Sequence, residues 1–345
     1  MKSRTAVLPD WISGAGPEAD IVLSTRARLA RGLAGFPFPE RASSDDLAAV
    51  ARAVLGACAG LTSRFPGLRS LRVERLDAAQ RSFLLDARVA SAQHISGGEG
   101  RIVIADPGGR LSIMVNEEDH IRLQAILAGL APHEAWELVN WADDVLAQKL
   151  DYGFSERYGY LTASLSNVGT GLRISAMMHL AGLAMTQRLA EHLRAASDLG
   201  VSVRGAFGEG SSAAGDLYQV SNEGTLGMPE SEIVERVRSV GQHLLDAERH
   251  ARRELLEEQG RRLSDAAKRA VDKLSSSMSI TSAEALVCIS HLRLAVALGL
   301  VEGCSLSLVN QLMVAVQAAA GDGGGANIER AASLRRLSKT LRLGR

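Results

Sequence analysis

Lysine and aromatic side chains are scarce in this chain of 345 residues, and cysteine is scarcer still. Cys58, Cys288 and Cys304 are odd in number, lie far apart and form no C-x-x-C pair, which argues against a disulfide framework and offers no zinc site. Free thiols in a reducing, cytoplasmic setting are the expectation. Net charge is absent as well, because 39 basic and 39 acidic residues cancel. Broad electrostatic capture of nucleic acid or of an anionic membrane is therefore not expected, and any partner has to be recognised by a site. The opening MKSRTAVLPDWISG lacks the apolar stretch of a signal peptide, and the most apolar late segment is broken by His291, Arg293, Glu302 and Asn310, so no membrane span is expected. Missing too are G-x-x-x-x-G-K-[ST], a strand followed by G-x-G-x-x-G, H-R-D-x-x-x-x-N and H-E-x-x-H, the usual nucleotide and zinc frames.

What the chain has instead is arginine. Only Lys2, Lys149, Lys268, Lys273 and Lys339 are lysine, so a phosphate site here would be built from guanidinium forks. Arginines recur beside loops: Arg26 and Arg28 in LSTRARLAR, Arg122 in NEEDHIR, Arg173 in NVGTGLR and Arg204 in VRGAFGEG. Acidic residues share two of these places. In MVNEEDHIR three consecutive carboxylates end an apolar run, and such a cluster either stays in water or is used on a cation.

Local patterns place these motifs. RIVIA-DPGG-RLSIMVN reads as a hairpin, with the carboxylates at the far end of its second strand. Helical spacing is read over 120–130, 132–150 and 172–197, the last following the glycine loop SNVGTG so that a helix N-terminus would face an anion. YLTASL reads as a strand, and VSVRGAF and DLYQVSN as a strand pair around GEGSSAAG. Residues 229–274 read as a charged helix, followed after a serine tract by two apolar helices, a glycine break and a basic helix. The architecture expected is α+β, with antiparallel strands in residues 1–256 and a small all-helical domain over 257–345.

LSTRARLAR, VNEEDHIRLQ, YGYLTASLSNVGTGLR and RGAFGEGSSA, in this order, resemble the catalytic domain of the phosphagen (guanidino) kinases, in the bacterial protein-arginine kinase branch of McsB type, over about residues 20–255. The metabolic arginine and creatine kinases carry an extra N-terminal helical domain for which this chain has no room, so the protein-directed branch is expected. The resemblance implies an antiparallel sheet flanked by helices, with transfer of the γ-phosphoryl of ATP, carried with Mg2+, to arginine side chains of proteins. It implies Glu118 as the guanidinium clamp and general base, Glu117 as organiser of the magnesium shell through water, with no direct protein ligand to the metal, and Glu209 as a second guanidinium contact. Arg26, Arg28, Arg122, Arg173 and Arg204 match the phosphate-binding arginines, with Ser24 and Asn167 completing the nucleotide set.

Partners implied by the resemblance are misfolded or regulatory proteins with exposed arginines, a Clp-type unfoldase and protease, a zinc-finger activator and a second copy in a homodimer. Departures from the family pattern are specific. Ser164 stands where many relatives carry cysteine, and Met177 where the metabolic enzymes place histidine. The phosphoarginine-sensing pattern R-D-x-x-R-A falls on Ala326 to Ala331, where its first half is missing and Arg330 is the remaining allosteric candidate. Two alternatives share the motifs: a kinase for a small guanidino compound, and a non-catalytic reader of arginine or phosphoarginine that regulates a protease.

Overall fold

Strand alternation organises the molecule, which the computed structural model describes over residues 9–206, 213–318 and 323–338. The strands are β1 (Val22–Arg31), β2 (Arg69–Arg72), β3 (Ile102–Ala105), β4 (Leu111–Val115), β5 (Ile121–Ala128), β6 (Phe154–Ser155), β7 (Gly159–Tyr160), β8 (Leu172–His179), β9 (Val201–Gly205) and β10 (Leu217–Asn222). Eight of them form one sheet in the order β2-β3-β4-β5-β1-β8-β10-β9, every neighbour antiparallel, while β6 and β7 pair separately. The helices are α1 (Ser44–Ala57), α2 (Ala78–Asp86), α3 (Ala92–Ile95), α4 (Pro132–Ala147), α5 (Ala181–Met185), α6 (Leu189–Asp198), α7 (Glu230–Ser276), α8 (Ser282–Ala297), α9 (Leu306–Ala318) and α10 (Gly324–Ser338).

Ala27, Leu29, Leu123, Ala125, Ile174 and Ala176 point to one face of the sheet and bury against Val54 of α1, Val139 and Leu146 of α4 and Leu244 of α7. Residues 44–63 are apolar enough to span a membrane by length and composition, but Val50, Val54 and Leu61 are buried in this core. A buried ion pair ties sheet to helix: Arg31 Nε donates to Asp143 Oδ2 at 2.9 Å, and its guanidinium lies 3.6 Å from the centre of the Tyr160 ring. A second core joins Leu274 of α7, Ile289 and Leu292 of α8, Leu312 of α9 and Leu334 of α10 to Leu23, Met177 and Leu217 of the sheet. The helical region therefore covers one end of the sheet's opposite face. The expected boundary at residue 257 falls inside α7, whose only non-helical backbone is at Gln259 (φ −134°, ψ 18°).

Three expected elements differ. Residues 121–128 are strand β5, not helix: in IRLQAILA the inward Ile121, Leu123 and Ala125 alternate with Arg122 and Gln124, a period of two hidden by the apolar tail. Residues 172–197 are strand β8 followed by two short helices, because Met177 and Met178 are buried on opposite faces and erase the polar alternation. The glycine loop thus leads into a strand, and the helix N-terminus expected there is absent. Of YLTASL only Tyr160, with the preceding Gly159, pairs as strand; beyond it the Ala163 N–H goes to the Asp119 carboxylate rather than to a ladder.

Candidate active site

The period of two that buries Ala27 and Leu29 sends Ser24, Arg26 and Arg28 to the other face. Residues opposite one another on paired strands share a face, so register decides what meets there. Arg28 stands opposite Gln124 of β5 and Arg173 of β8; Arg26 stands opposite Ser175 of β8. Arg122 lies opposite Ala30, and Arg204 of β9 opposite Gln219 of β10. Arg26, Arg28, Arg122, Arg173 and Arg204, from four strands, are brought to one face.

A sixth guanidinium joins them. Arg88, just after α2 in a left-handed conformation (φ 57°), lines a cavity of about 260 Å³ with Arg26, Arg122 and Gln124, and lies 5.1 Å from the Trp11 ring centre. No local motif marks it in LLDARVAS, and only the fold carries it to the site.

This cluster is electrostatically unfinished. Burial lowers the Arg26 guanidinium to about 9, aided by Arg88, Arg122 and Arg173, and lowers Arg88 to about 10. Burial likewise pushes Arg28 well below the ordinary arginine value, with Arg26, Arg122 and Arg173 adding repulsion, and lowers Arg173. Among the described residues a single ion pair, Arg122 with Glu117, offsets the six charges. The buried Arg173 Nε has no acceptor, and its terminal nitrogen makes only a 3.4 Å contact with Ser221 Oγ. Donors and charge held in place without a counter-charge fit a polyphosphate.

The three carboxylates occupy the β4–β5 turn, and each has a different fate. Asn116, at φ 61°, opens the turn, donating through Nδ2 to Leu47 O at 2.9 Å and Gly100 O at 2.8 Å. Glu117 is buried, accepting from Ser91 Oγ on one oxygen and from Arg122 on the other. Burial would raise its pKa, but Arg122 and Ser91 outweigh it and hold the carboxyl below the usual range. Asp119 is buried too, accepting from the Ala163 N–H at 2.6 Å and from Asn167 Nδ2 at 3.3 Å. Glu118 alone stays partly open. It accepts from Asn167 Nδ2 at 3.1 Å and faces a cavity of about 410 Å³ lined also by Pro39, Glu40, Gln93, Arg101, Glu117, Ala163 and Ser164. His120 belongs to the scaffold: its Nδ1 accepts from the Leu33 N–H at 2.9 Å, its Nε2 donates to Pro37 O at 2.9 Å, and it stacks on Phe38.

Asp119 was not singled out by sequence, and burial pushes it up to about 6. Its proton is held more tightly folded than unfolded, so its contribution makes stability fall as pH rises from about 4 to about 6, with the full cost present above that. Denaturant titrations across this range are expected to show that fall, on the order of 3 kcal/mol, and to lose it in Asp119→Asn. An unchanged slope in the variant would remove the assignment.

The remaining expected residues are placed as follows. Ser24 is buried beside Arg26, Arg88 and Ser175, whereas Asn167 sits at Glu118 and Asp119 rather than among the arginines. Ser164 Oγ lies 2.8 Å from Ser166 Oγ at the edge of the Glu118 cavity. Glu209 lies outside the described residues. Arg330 is buried in the helical region, donating to Val316 O at 2.9 Å, Ile280 O at 3.1 Å and Asn327 Oδ1 at 2.7 Å.

Comparison with known proteins bears on family and fold. Residues 49–251 match the family described as ATP:guanido phosphotransferase, C-terminal catalytic domain, and residues 260–321 match the protein-arginine kinase McsB C-terminal domain. The chain is 43% identical over 312 residues to the protein-arginine kinase of Moorella thermoacetica and 40% identical over 314 residues to that of Halothermothrix orenii, each alignment covering 90% of this chain and 89% of the relative. Among solved structures it is similar to a lombricine kinase, with a TM-score of 0.61 at 25% identity over 70% of this chain and 71% of that one.

Proposed function

The chain belongs to the ATP:guanido phosphotransferases, in their protein-arginine kinase branch, and from that premise we propose how its residues carry the reaction. The activity is ATP-dependent phosphorylation of arginine side chains in proteins. One observation carries the residue-level reading: Glu117 binds Arg122 of the arginine face while its neighbour Glu118 opens onto the adjoining cavity. Phosphate-binding and guanidinium-binding groups thus meet across a single peptide unit.

In this reading Arg26, Arg28, Arg88, Arg122, Arg173 and Arg204 hold the triphosphate of ATP and stabilise charge on the phosphoryl in flight. The substrate guanidinium enters on the acidic side, where Glu118 accepts its paired N–H donors, with Glu209 as the second contact. Protonated guanidinium has a pKa above about 12 and is no nucleophile, so proton loss must accompany attack. The attacking nitrogen forms the bond to the γ-phosphorus, the bond to ADP breaks, and the nitrogen's proton passes to Glu118. Mg2+ supplied with ATP would neutralise phosphate charge. Glu117, accepting from Ser91 on one oxygen and Arg122 on the other, would help to organise the water shell of that metal.

The junction between catalytic and helical parts, proposed at residues 256/257, is supported by the irregularity of α7 at Gln259 close by. A cytoplasmic site of action is supported by three unpaired thiols, of which burial pushes Cys58 up to about 12 and Cys304 up to about 11. A Clp-type unfoldase or protease, a zinc-finger activator and a homodimer enter on family membership alone. Arg330 is proposed as a structural tie of the helical core, since its donors already serve carbonyl and amide oxygens.

The test is incubation with Mg-ATP and an unfolded, arginine-containing protein such as casein, followed by mass spectrometry at neutral pH, with free arginine in parallel. Phosphoarginine on the protein is expected. Product on free arginine alone would replace this reading with a metabolic kinase.

A further inference from the structure

An arginine side chain that belongs to a protein cannot reach Glu118 without laying its own backbone and neighbouring residues on the rim of the cavity. That rim runs through Ala163 and Ser164 into Leu165, whose exposure of 89% is the highest among the large apolar side chains described. Leu165 is not isolated. Phe154 (59% exposed), Tyr158, Leu161 and Leu226 (57%) are also exposed, and backbone bonds bring their segments together.

The connections can be followed. Phe154 pairs with Tyr160 across the β6–β7 hairpin, and their rings meet edge to face at 5.3 Å. The Leu161 N–H donates to Gly153 O at 2.8 Å, closing that hairpin onto the rim. Tyr160 and Gly169 exchange backbone hydrogen bonds of 2.8 and 3.2 Å. Gly169 abuts Leu226 so closely that an added Cβ would lie 2.8 Å from the Leu226 Cα. Thr225 Oγ1 in turn donates to Ser166 O at 3.0 Å and Val168 O at 2.7 Å, which fixes the Leu226 turn beside Leu165. Backbone bonds thus carry five exposed apolar side chains on adjoining segments, a shelf that the chain joins to the guanidinium cavity through Ala163 and Ser164.

Large apolar side chains left in water over a contiguous patch mark an interaction surface. Here continuity with the substrate cavity names the occupant. We propose that this shelf, Phe154, Tyr158, Leu161, Leu165 and Leu226, binds apolar residues flanking the target arginine in an extended segment of the substrate polypeptide. The inference rests on the protein-arginine kinase reading and specifies its substrate class. Arginine beside large apolar residues is usually packed away in a folded protein, because those neighbours are buried. The shelf therefore ranks accessible target arginines by the chemistry of the residues that flank them. Beyond the rim the cavity is lined by the carboxylates of Glu40, Glu117 and Glu118 and by Arg101, whose guanidinium is tied to Gln93 O and His94 O, and the carboxylates supply the charge that orients the incoming arginine.

The experiment compares two synthetic peptides with one central arginine, one flanked by leucine and phenylalanine, the other by serine and glycine, at equal length and charge. For the unaltered protein, kcat/KM is expected to be about tenfold higher for the apolar-flanked peptide, carried by KM. In Leu165→Ser and in Phe154→Ser/Tyr158→Ser the preference is expected to collapse to about twofold or less, while kcat/KM for the serine-flanked peptide and the affinity for Mg-ATP stay unchanged. Equal rates on both peptides with the unaltered protein would overturn the shelf while leaving the kinase reading intact, as would a preference that survives both variants. Loss of activity on both peptides together with loss of ATP binding would mean misfolding, and for that case Leu226→Ser on the opposite side of the shelf gives the same comparison. Phosphorylation of neither peptide by the unaltered protein, despite ATP binding, would defeat the kinase reading itself.

Discussion

Glu118→Gln is expected to lower kcat for protein-arginine phosphorylation by about three orders of magnitude while changing Mg-ATP affinity by less than about threefold. Three carboxylates share the β4–β5 turn, yet only this one has both an opening to the cavity and a single neutral donor, Asn167 Nδ2, on its oxygens. Glutamine keeps the shape and the Asn167 contact but removes the negative charge and the proton acceptor. It would also present an NH2 where a substrate guanidinium needs an acceptor, so orientation and proton transfer should fail together. Glu117→Gln should behave differently, because Glu117 is locked between Ser91 and Arg122. Its loss would free Arg122 and disturb the metal and phosphate side, so ATP affinity should move with kcat. Activity in Glu118→Gln within tenfold of the unaltered protein would transfer the base to another group.

The contrast between the two glutamates also measures how far sequence could go. NEEDH announced that charge had been concentrated for a purpose, and the resemblance divided the roles. Only the turn gives the carboxylates different surroundings, Glu117 on Ser91 and Arg122, Glu118 on the cavity and Asp119 on the Ala163 N–H, since adjacent residues at a hairpin tip point in different directions. Strand-borne arginines were legible as individual residues in motifs. Their assembly was not, because two of the strands that carry them, β5 and β8, read as helices. With both faces of β8 buried, the alternation that identifies a strand was masked by apolar side chains on each side. Arg88 and Asp119 were missed for separate reasons. Arg88 arrives from a helix end distant in sequence, and Asp119 differs from its neighbours only in burial, which no local pattern encodes. The helical tail was easy by comparison: its apolar runs and glycine breaks are local features, and α8, α9 and α10 follow them.

The apo protein should be more stable without Arg28 than with it. Arg28 lies at the centre of the arginine face, opposite Arg173 and two residues from Arg26, and among the described residues it has no ion-pair partner. The burial and repulsion that push its pKa down act as a cost of folding so long as no anion is present. Arg28→Met keeps the length and apolar stem while deleting the charge, so thermal unfolding without nucleotide is expected to shift upward by a few degrees. ATP reverses the order. A bound triphosphate converts the same repulsion into attraction, so the unaltered protein should gain several degrees with saturating Mg-ATP and the variant almost nothing. Catalysis should fall by about a thousandfold, since an arginine on a transferring phosphoryl group contributes on that scale. Arg28→Lys, with charge but no fork, should recover ATP stabilisation in part and little of the rate. A variant that is less stable than the unaltered protein without nucleotide, measured side by side by calorimetry, would show that Arg28 is held by the fold for packing and not poised for an anion.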